Sequence, residues 1–226
     1  MSELNPEDTA NGSRQSLEDR RRPKVYLTIE EAVDLSCNLG KRIRNLTPRP
    51  DFAIGLANGG TLPALVAAEE AGIACEIIKV RRKGSRLKQR FDYLRVILKL
   101  FPKAMQFKPL RMLKAQFDNW FSEVECTDWA AQTGDVFGQN VVIIDDCVDS
   151  GSTAAFVRER LLADGAASVR VAVISWGTKH DSRELHSLVP DIYLNRTIDY
   201  YPWSLENPGF KKFSMWLESQ GQELWK

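Results

Sequence analysis

The 226-residue chain predicts an α/β fold, an open, mostly parallel twisted sheet with helices on both faces. Two observations carry the prediction. Short apolar runs alternate along the chain with stretches of helical periodicity. The runs FAIGLA, NVVIID and VRVAVISW are also apolar at nearly every position, as strands covered on both faces must be.

Taken in order, residues 1–22 are polar and read as a disordered tail, leaving 23–226 as one domain. VYLT (25–28) predicts a short strand. Thr28 and Glu31 form a capping-box start for a helix over 29–44, where Ile29, Val33, Leu35, Leu39 and Ile43 fall near helical spacing. FAIGLA (52–57) is a strand ended by Asn58-Gly59-Gly60, and 61–71 is a helix that tolerates Pro63 in its first turn. CEIIKV (75–80) is the next strand. Segment 84–134 departs from the alternation and predicts a basic helical insertion broken by Pro102 and Pro109. NVVIID (140–145), a helix from about Thr153 to Ala163, VRVAVISW (169–176) and IYL (192–194) resume it. Residues 206–226 close the chain with a helix over 210–225.

A formal net charge of +1 conceals unlike parts. Residues 1–78 carry −3, residues 79–114 carry +12, and residues 115–226 carry −8. A concentrated positive field thus sits on an otherwise acidic protein. Three readings stand for it: a solvated basic helical pair, a site for nucleic acid or another acidic partner, and a membrane-surface element. No apolar run is long enough to span a bilayer, and the N-terminus has no secretory h-region, so a cytoplasmic location is expected. Four scattered cysteines and two histidines give no zinc spacing, and no all-protein metal site is expected.

The chemistry concentrates in VVIIDDCVDSGSTAAFVRERL (141–161). An apolar strand runs into Asp145 and Asp146, and a short loop (147–152) leads into a helix. Such a loop, at the carboxyl end of a parallel strand, faces the ligand crevice of an open sheet. Ser150, Gly151 and Ser152 let backbone N–H groups approach an anion. The hydroxyls of Ser150, Ser152 and Thr153 and the helix N-terminus add donors. Paired carboxylates accept sugar hydroxyls or a Mg²⁺ hydration shell. One ligand satisfies both halves, a sugar phosphate with free vicinal hydroxyls.

VVIIDDCVDSGST resembles the phosphoribosyl pyrophosphate (PRPP) motif of the type I phosphoribosyltransferases. The resemblance covers about 25–82 and 136–205 and implies that family's fold. It implies that Asp145 and Asp146 hold the ribose hydroxyls, near Mg²⁺. It further implies that Asp149, Ser150, Gly151, Ser152 and Thr153 hold the 5′-phosphate, and that Asp149 exchanges a proton with the base. FAIGLANGG resembles the family's pyrophosphate loop, with Asn58, Gly59 and Gly60 in it. Asn58 stands where many purine enzymes carry Lys or Arg, and Arg81, Arg82 or Lys83 are the candidate replacements for that charge. Lys179 and TIDYYPWS (197–204) resemble the hypoxanthine/xanthine/guanine branch. Lys179 would meet the purine oxo group, Tyr200 or Tyr201 would stack on the ring, and Pro202-Trp203 matches the branch's Pro-Trp pair. The family's mobile hood occupies the place of the basic insertion.

The expected activity is Mg²⁺-dependent transfer of ribose 5-phosphate from PRPP to a purine-like nucleobase, releasing pyrophosphate, as in nucleotide salvage, by a homodimer. Two alternatives stay open. One is a PRPP- or nucleotide-sensing regulator that binds nucleic acid through 79–114. The other is a phosphoribosyltransferase with a non-purine acceptor.

Overall fold

A computed structural model describes residues 24–82, 124–126, 129, 133–177, 188–195, 198 and 200–223. The N-terminal tail, most of the basic insertion, and Lys179 lie outside the described residues, as do the side chains of Arg81 and Arg82. The described elements are α1 (Ile29–Arg44), β1 (Phe52–Leu56), α2 (Thr61–Ala71), β2 (Ala74–Ile78), β3 (Val80–Arg82), β4 (Val124–Cys126), β5 (Asn140–Val148), α3 (Ser152–Ala163), β6 (Ser168–Trp176), β7 (Ile192–Asn195) and α4 (Phe210–Ser219).

Five strands form one parallel sheet in the order β2-β1-β5-β6-β7. Chain order runs outward from β1 in one direction and from β5 in the other, so the switch point lies between these two strands. A crevice opens there at the carboxyl ends. On one face Leu39 and Ile43 of α1 and the alanines of α2 pack against Val142, Ile144, Ala172 and Ile174. On the other, Ala154, Val157 and Leu161 of α3 pack against Val141, Ile143, Val171 and Val173. Alternate residues of β5 and β6 thus feed opposite cores, which is why these runs are apolar at every position. The expected fold class, with helices on both faces, is the one observed.

The capping box forms as read: Thr28 Oγ1 accepts from Glu31 N (3.1 Å), and Thr28 N donates to Glu31 Oε2 (2.8 Å). Helix α2 ends at Gly72, whose φ of 70° only glycine adopts readily.

Four readings of local structure need correction. Residues 25–28 make no strand but a single bridge, Tyr26 to Tyr200. Leu27 N donates to the Tyr200 oxygen, and Tyr200 N donates to the Val25 oxygen. The next donor in that ladder would be residue 202, a proline with no N–H. Asn207 Nδ2 supplies the bond to the Leu27 oxygen instead (2.9 Å).

The strand read over 75–80 breaks at Lys79. Only Val80 of it falls in β3, which stands outside the five-stranded sheet and pairs antiparallel with β4, a strand inside the stretch read as helical. Strand β5 runs three residues beyond 145, because β6 is long enough to pair Cys147 with Ser175 and Val148 with Trp176. The C-terminal helix, read to 225, ends at Ser219, and Gly221 follows with a φ of 68°.

Candidate functional site

The two motifs meet at the switch point. The turn after β1 (57–60) and the end of β5 are so close that glycine is required between them. A β-carbon on Gly59 would lie 2.4 Å from Asp146 Oδ2. One on Gly60 would lie 2.9 Å from Asp145 Oδ1, 2.9 Å from the Ile144 oxygen and 2.6 Å from the Leu56 oxygen. The Ala57–Asn58 peptide in this turn is cis.

Asp145 Oδ1 accepts from the backbone N–H of Asp146 (2.8 Å), which folds the first carboxylate back along its own strand. The second carboxylate belongs to a half-buried residue, and Trp203 Nε1 donates to Asp146 Oδ2 at 2.6 Å. Burial pushes the Asp146 carboxyl above the usual carboxylate range. The bonds from Trp203 and from the backbone at Cys147 oppose that shift. Burial also pushes the neighbouring Cys147 thiol up to about 11, making it a filler rather than a nucleophile. Cys37, Cys75 and Cys147 carry free thiols.

Beyond β5, Asp149 is exposed. The loop turns on Gly151, whose φ is 79° and whose missing side chain makes room for Leu188. A β-carbon on Gly151 would lie 2.6 Å from both the nitrogen and the oxygen of that residue. Ser150 Oγ and Ser152 Oγ lie 3.0 Å apart, and α3 begins at Ser152 with Gly151 as its N-cap. The N-cap glycine offers no side chain to this helix, and Ser152 N lies 3.5 Å from Ser150 Oγ, so two hydroxyls and the helix N-terminus gather in one short loop.

Asn58, Gly59, Gly60, Asp145, Asp146, Asp149, Ser150, Gly151, Ser152 and Thr153 therefore gather at the carboxyl ends of two adjacent strands. The aromatic candidates are placed differently. Tyr200 stacks on Tyr26 (4.7 Å between ring centroids, 11° between planes), and Lys24 Nζ donates to its hydroxyl (3.0 Å). Tyr201 is buried, at 7% exposure, beneath the acids. Its hydroxyl donates to the Asp146 carbonyl oxygen (3.1 Å) and shares a hydrogen bond with Ser175 Oγ (2.6 Å). Burial, with the Asp146 charge nearby, pushes that hydroxyl well above the usual phenol range.

Sequence reasoning did not assign the contact from Trp203 to Asp146 or the seating of Gly151 on Leu188. The Pro202-Trp203 pair was the available signal for the first. Among the described residues no three His, Cys, Asp or Glu side chains gather as a metal-holding group. No helix among them is long and apolar enough to cross a membrane.

A model of the phosphoribosyl transferase domain family matches residues 30–206. Similar solved structures include the purine phosphoribosyltransferase of Pyrococcus horikoshii, with 24% identity and a TM-score of 0.52 over 80% of this chain and 94% of that one. A hypothetical protein from Neisseria gonorrhoeae with bound ppGpp has 20% identity and a TM-score of 0.56 over 89% of this chain and 100% of that one. The xanthine-guanine-hypoxanthine phosphoribosyltransferase of Helicobacter pylori has 12% identity and a TM-score of 0.54 over 84% of this chain and 99% of that one. At these identities the likeness is one of fold. Curated protein sequences give no match.

Proposed function

Because the chain belongs to the phosphoribosyl transferase domain family, we propose that it transfers ribose 5-phosphate from PRPP to a 6-oxopurine base and releases pyrophosphate. The observation that supports this reading most is the contact between the two motifs. Gly59 and Gly60 abut the carboxylates of Asp146 and Asp145 across neighbouring strands. A pyrophosphate on the glycine turn and a ribose on the acids are then parts of one molecule.

The cradle of Ser150, Gly151, Ser152 and Thr153 takes the 5′-phosphate through backbone N–H groups and hydroxyls. Asp145 and Asp146 accept the ribose hydroxyls. As the bond from the anomeric carbon to pyrophosphate breaks, the sugar gains positive charge, which the two carboxylates lie near enough to stabilise. The base nitrogen bonds to that carbon, and its proton passes to Asp149. Lys179 is the candidate for the base, since the Tyr200 ring is already stacked on Tyr26, with Arg81 and Arg82 for the pyrophosphate charge. Buried Tyr201 acts from beneath the site.

Asp145 and Asp146, two adjacent carboxylates beside a glycine turn, suit the hydration shell of a Mg²⁺ and would be the residues to meet one brought in with PRPP. When bound, the ion neutralises charge on the leaving pyrophosphate.

The test incubates the protein with PRPP, Mg²⁺ and a panel of bases, measuring pyrophosphate and nucleotide. Release with hypoxanthine, guanine or xanthine is expected. Release only with orotate, uracil or an amine would move the acceptor outside the purines. No release with any base would overturn the enzymatic reading. A second reading, a nucleotide-sensing regulator, is favoured by the likeness to the Neisseria protein with bound ppGpp. Asn58 in the pyrophosphate turn and the basic segment 79–114 fit it too. Salt-sensitive RNA or DNA binding altered by PRPP would identify it.

A further inference from the structure

We propose that Trp203 is a positioning residue for the donor site, its indole N–H fixing the Asp146 carboxylate in the orientation that meets the ribose hydroxyls, with helix α4 holding the indole in place. The inference rests on the reading of Asp146 as a ribose-holding acid.

Trp203 is gripped on several sides. Its Nε1 donates to Asp146 Oδ2 at 2.6 Å, the short distance of a charge-assisted bond. Its ring stacks on Tyr201, with centroids 4.9 Å apart and planes 13° apart. Tyr201 is itself tied by its hydroxyl to Ser175 and to the Asp146 backbone. The indole also leans on Phe213 of α4, with centroids 5.5 Å apart. Phe213 is fully buried and clusters with Leu217, Ala32 and Leu62, so α4 is seated on α1 and α2. The donor N–H therefore belongs to a ring held by two aromatic neighbours and its own hydrogen bond.

A carboxylate has about four acceptor positions. Trp203 occupies one and thereby orients the rest. The Gly59 backbone lies close enough to the same carboxylate to restrict its rotation further. Without the indole N–H, the half-buried carboxylate loses a charged-group hydrogen bond and its fixed orientation. The family match ends at residue 206, so α4 lies beyond the matched residues.

Trp203→Phe keeps the ring stack and removes the N–H. Calorimetry with PRPP and with pyrophosphate, each with Mg²⁺, separates positioning from general damage, since pyrophosphate carries no ribose. The expected result is PRPP affinity weakened about tenfold or more, with pyrophosphate affinity unchanged. In an Asp146→Ala background, Trp203→Phe should cause no further loss of PRPP affinity. Unchanged PRPP affinity in W203F, or equal weakening of both ligands, overturns the inference while leaving the donor site standing. A parent protein that binds neither ligand overturns the donor-site reading and this inference with it. Should W203F not fold, Phe213→Leu keeps the N–H and thins its support. It should weaken PRPP selectively and by less, and equal weakening of both ligands there counts against the inference in the same way.

Discussion

Gly59 and Asp146 touch across two strands, because a β-carbon on the glycine would stand 2.4 Å from Oδ2 and 2.7 Å from the carboxyl carbon. The acid is held from the far side by Trp203 and has no easy retreat. Gly59→Ala should therefore displace the carboxylate and break a charged-group hydrogen bond, lowering PRPP affinity about tenfold. Calorimetry with PRPP and Mg²⁺ checks this, and parental affinity in the variant would show that the carboxylate moves without cost.

Gly60→Ala should act on stability rather than on the ligand alone. Its β-carbon meets the backbone oxygens of Leu56 (2.6 Å) and Ile144 (2.9 Å), which cannot turn aside as a side chain can. A loss of about 1–3 kcal/mol is expected from such overpacking. Denaturant titration measures it.

Gly151 combines a left-handed φ of 79° with a β-carbon position 2.6 Å from the Leu188 backbone. Gly151→Ala should cost about 1–3 kcal/mol of stability and also weaken ribose 5-phosphate binding by shifting the cradle. Thermal melts with and without ribose 5-phosphate read both effects. Stability and affinity equal to the parent's would place the loop elsewhere.

Asp149 is exposed beside the cradle, with its Oδ1 only 3.1 Å from a β-carbon position on Gly177. Asp149→Asn keeps the size and removes the proton acceptor. Turnover should fall roughly 10²-fold or more while PRPP affinity holds. Steady-state kinetics on the active base, together with PRPP binding, decide it, and undiminished turnover would remove Asp149 from the proton transfer.

Asp146 makes a statement about pH. Burial raises its carboxyl pKa, so the folded state holds this proton more tightly than the unfolded chain does. This contribution favours folding at low pH and is lost as pH rises through the raised folded-state value. Asp146→Asn, which never ionises, should be more stable than the parent at pH 8 while binding PRPP more weakly. The stability difference should close below about pH 4, where the unfolded carboxyl is also protonated. Melting curves across this range test the sign.

Much of the frame was legible in the chain. Apolar runs covered on both faces read correctly as parallel strands, and the Thr28/Glu31 box placed the start of α1 to the residue. The acid pair and the glycine turn were legible as motifs because each is local in sequence. What joins them is not local. The bond between Trp203 and Asp146 spans 57 positions, and the seating of Gly151 depends on Leu188. Strand β5 runs past the acids only because β6 continues beside it, and β3 turns out of the sheet to meet β4. The missing strand at 25–28 depended on a proline opposite it, a pairing invisible before the fold.

The pairing of β1 with β5 brings together Asp51 and Asn140, 89 positions apart in the chain. Closing so long a loop is slow, and the crevice cannot exist before that closure, so ligand-binding competence should arrive late in refolding. The entropic cost of closure rises only with the logarithm of loop length, about 0.6 kcal/mol for each doubling. The crossover between these two strands is thus the place where the chain lengthens at little thermodynamic expense. The stretch carrying most of the positive charge falls within that crossover in the sequence.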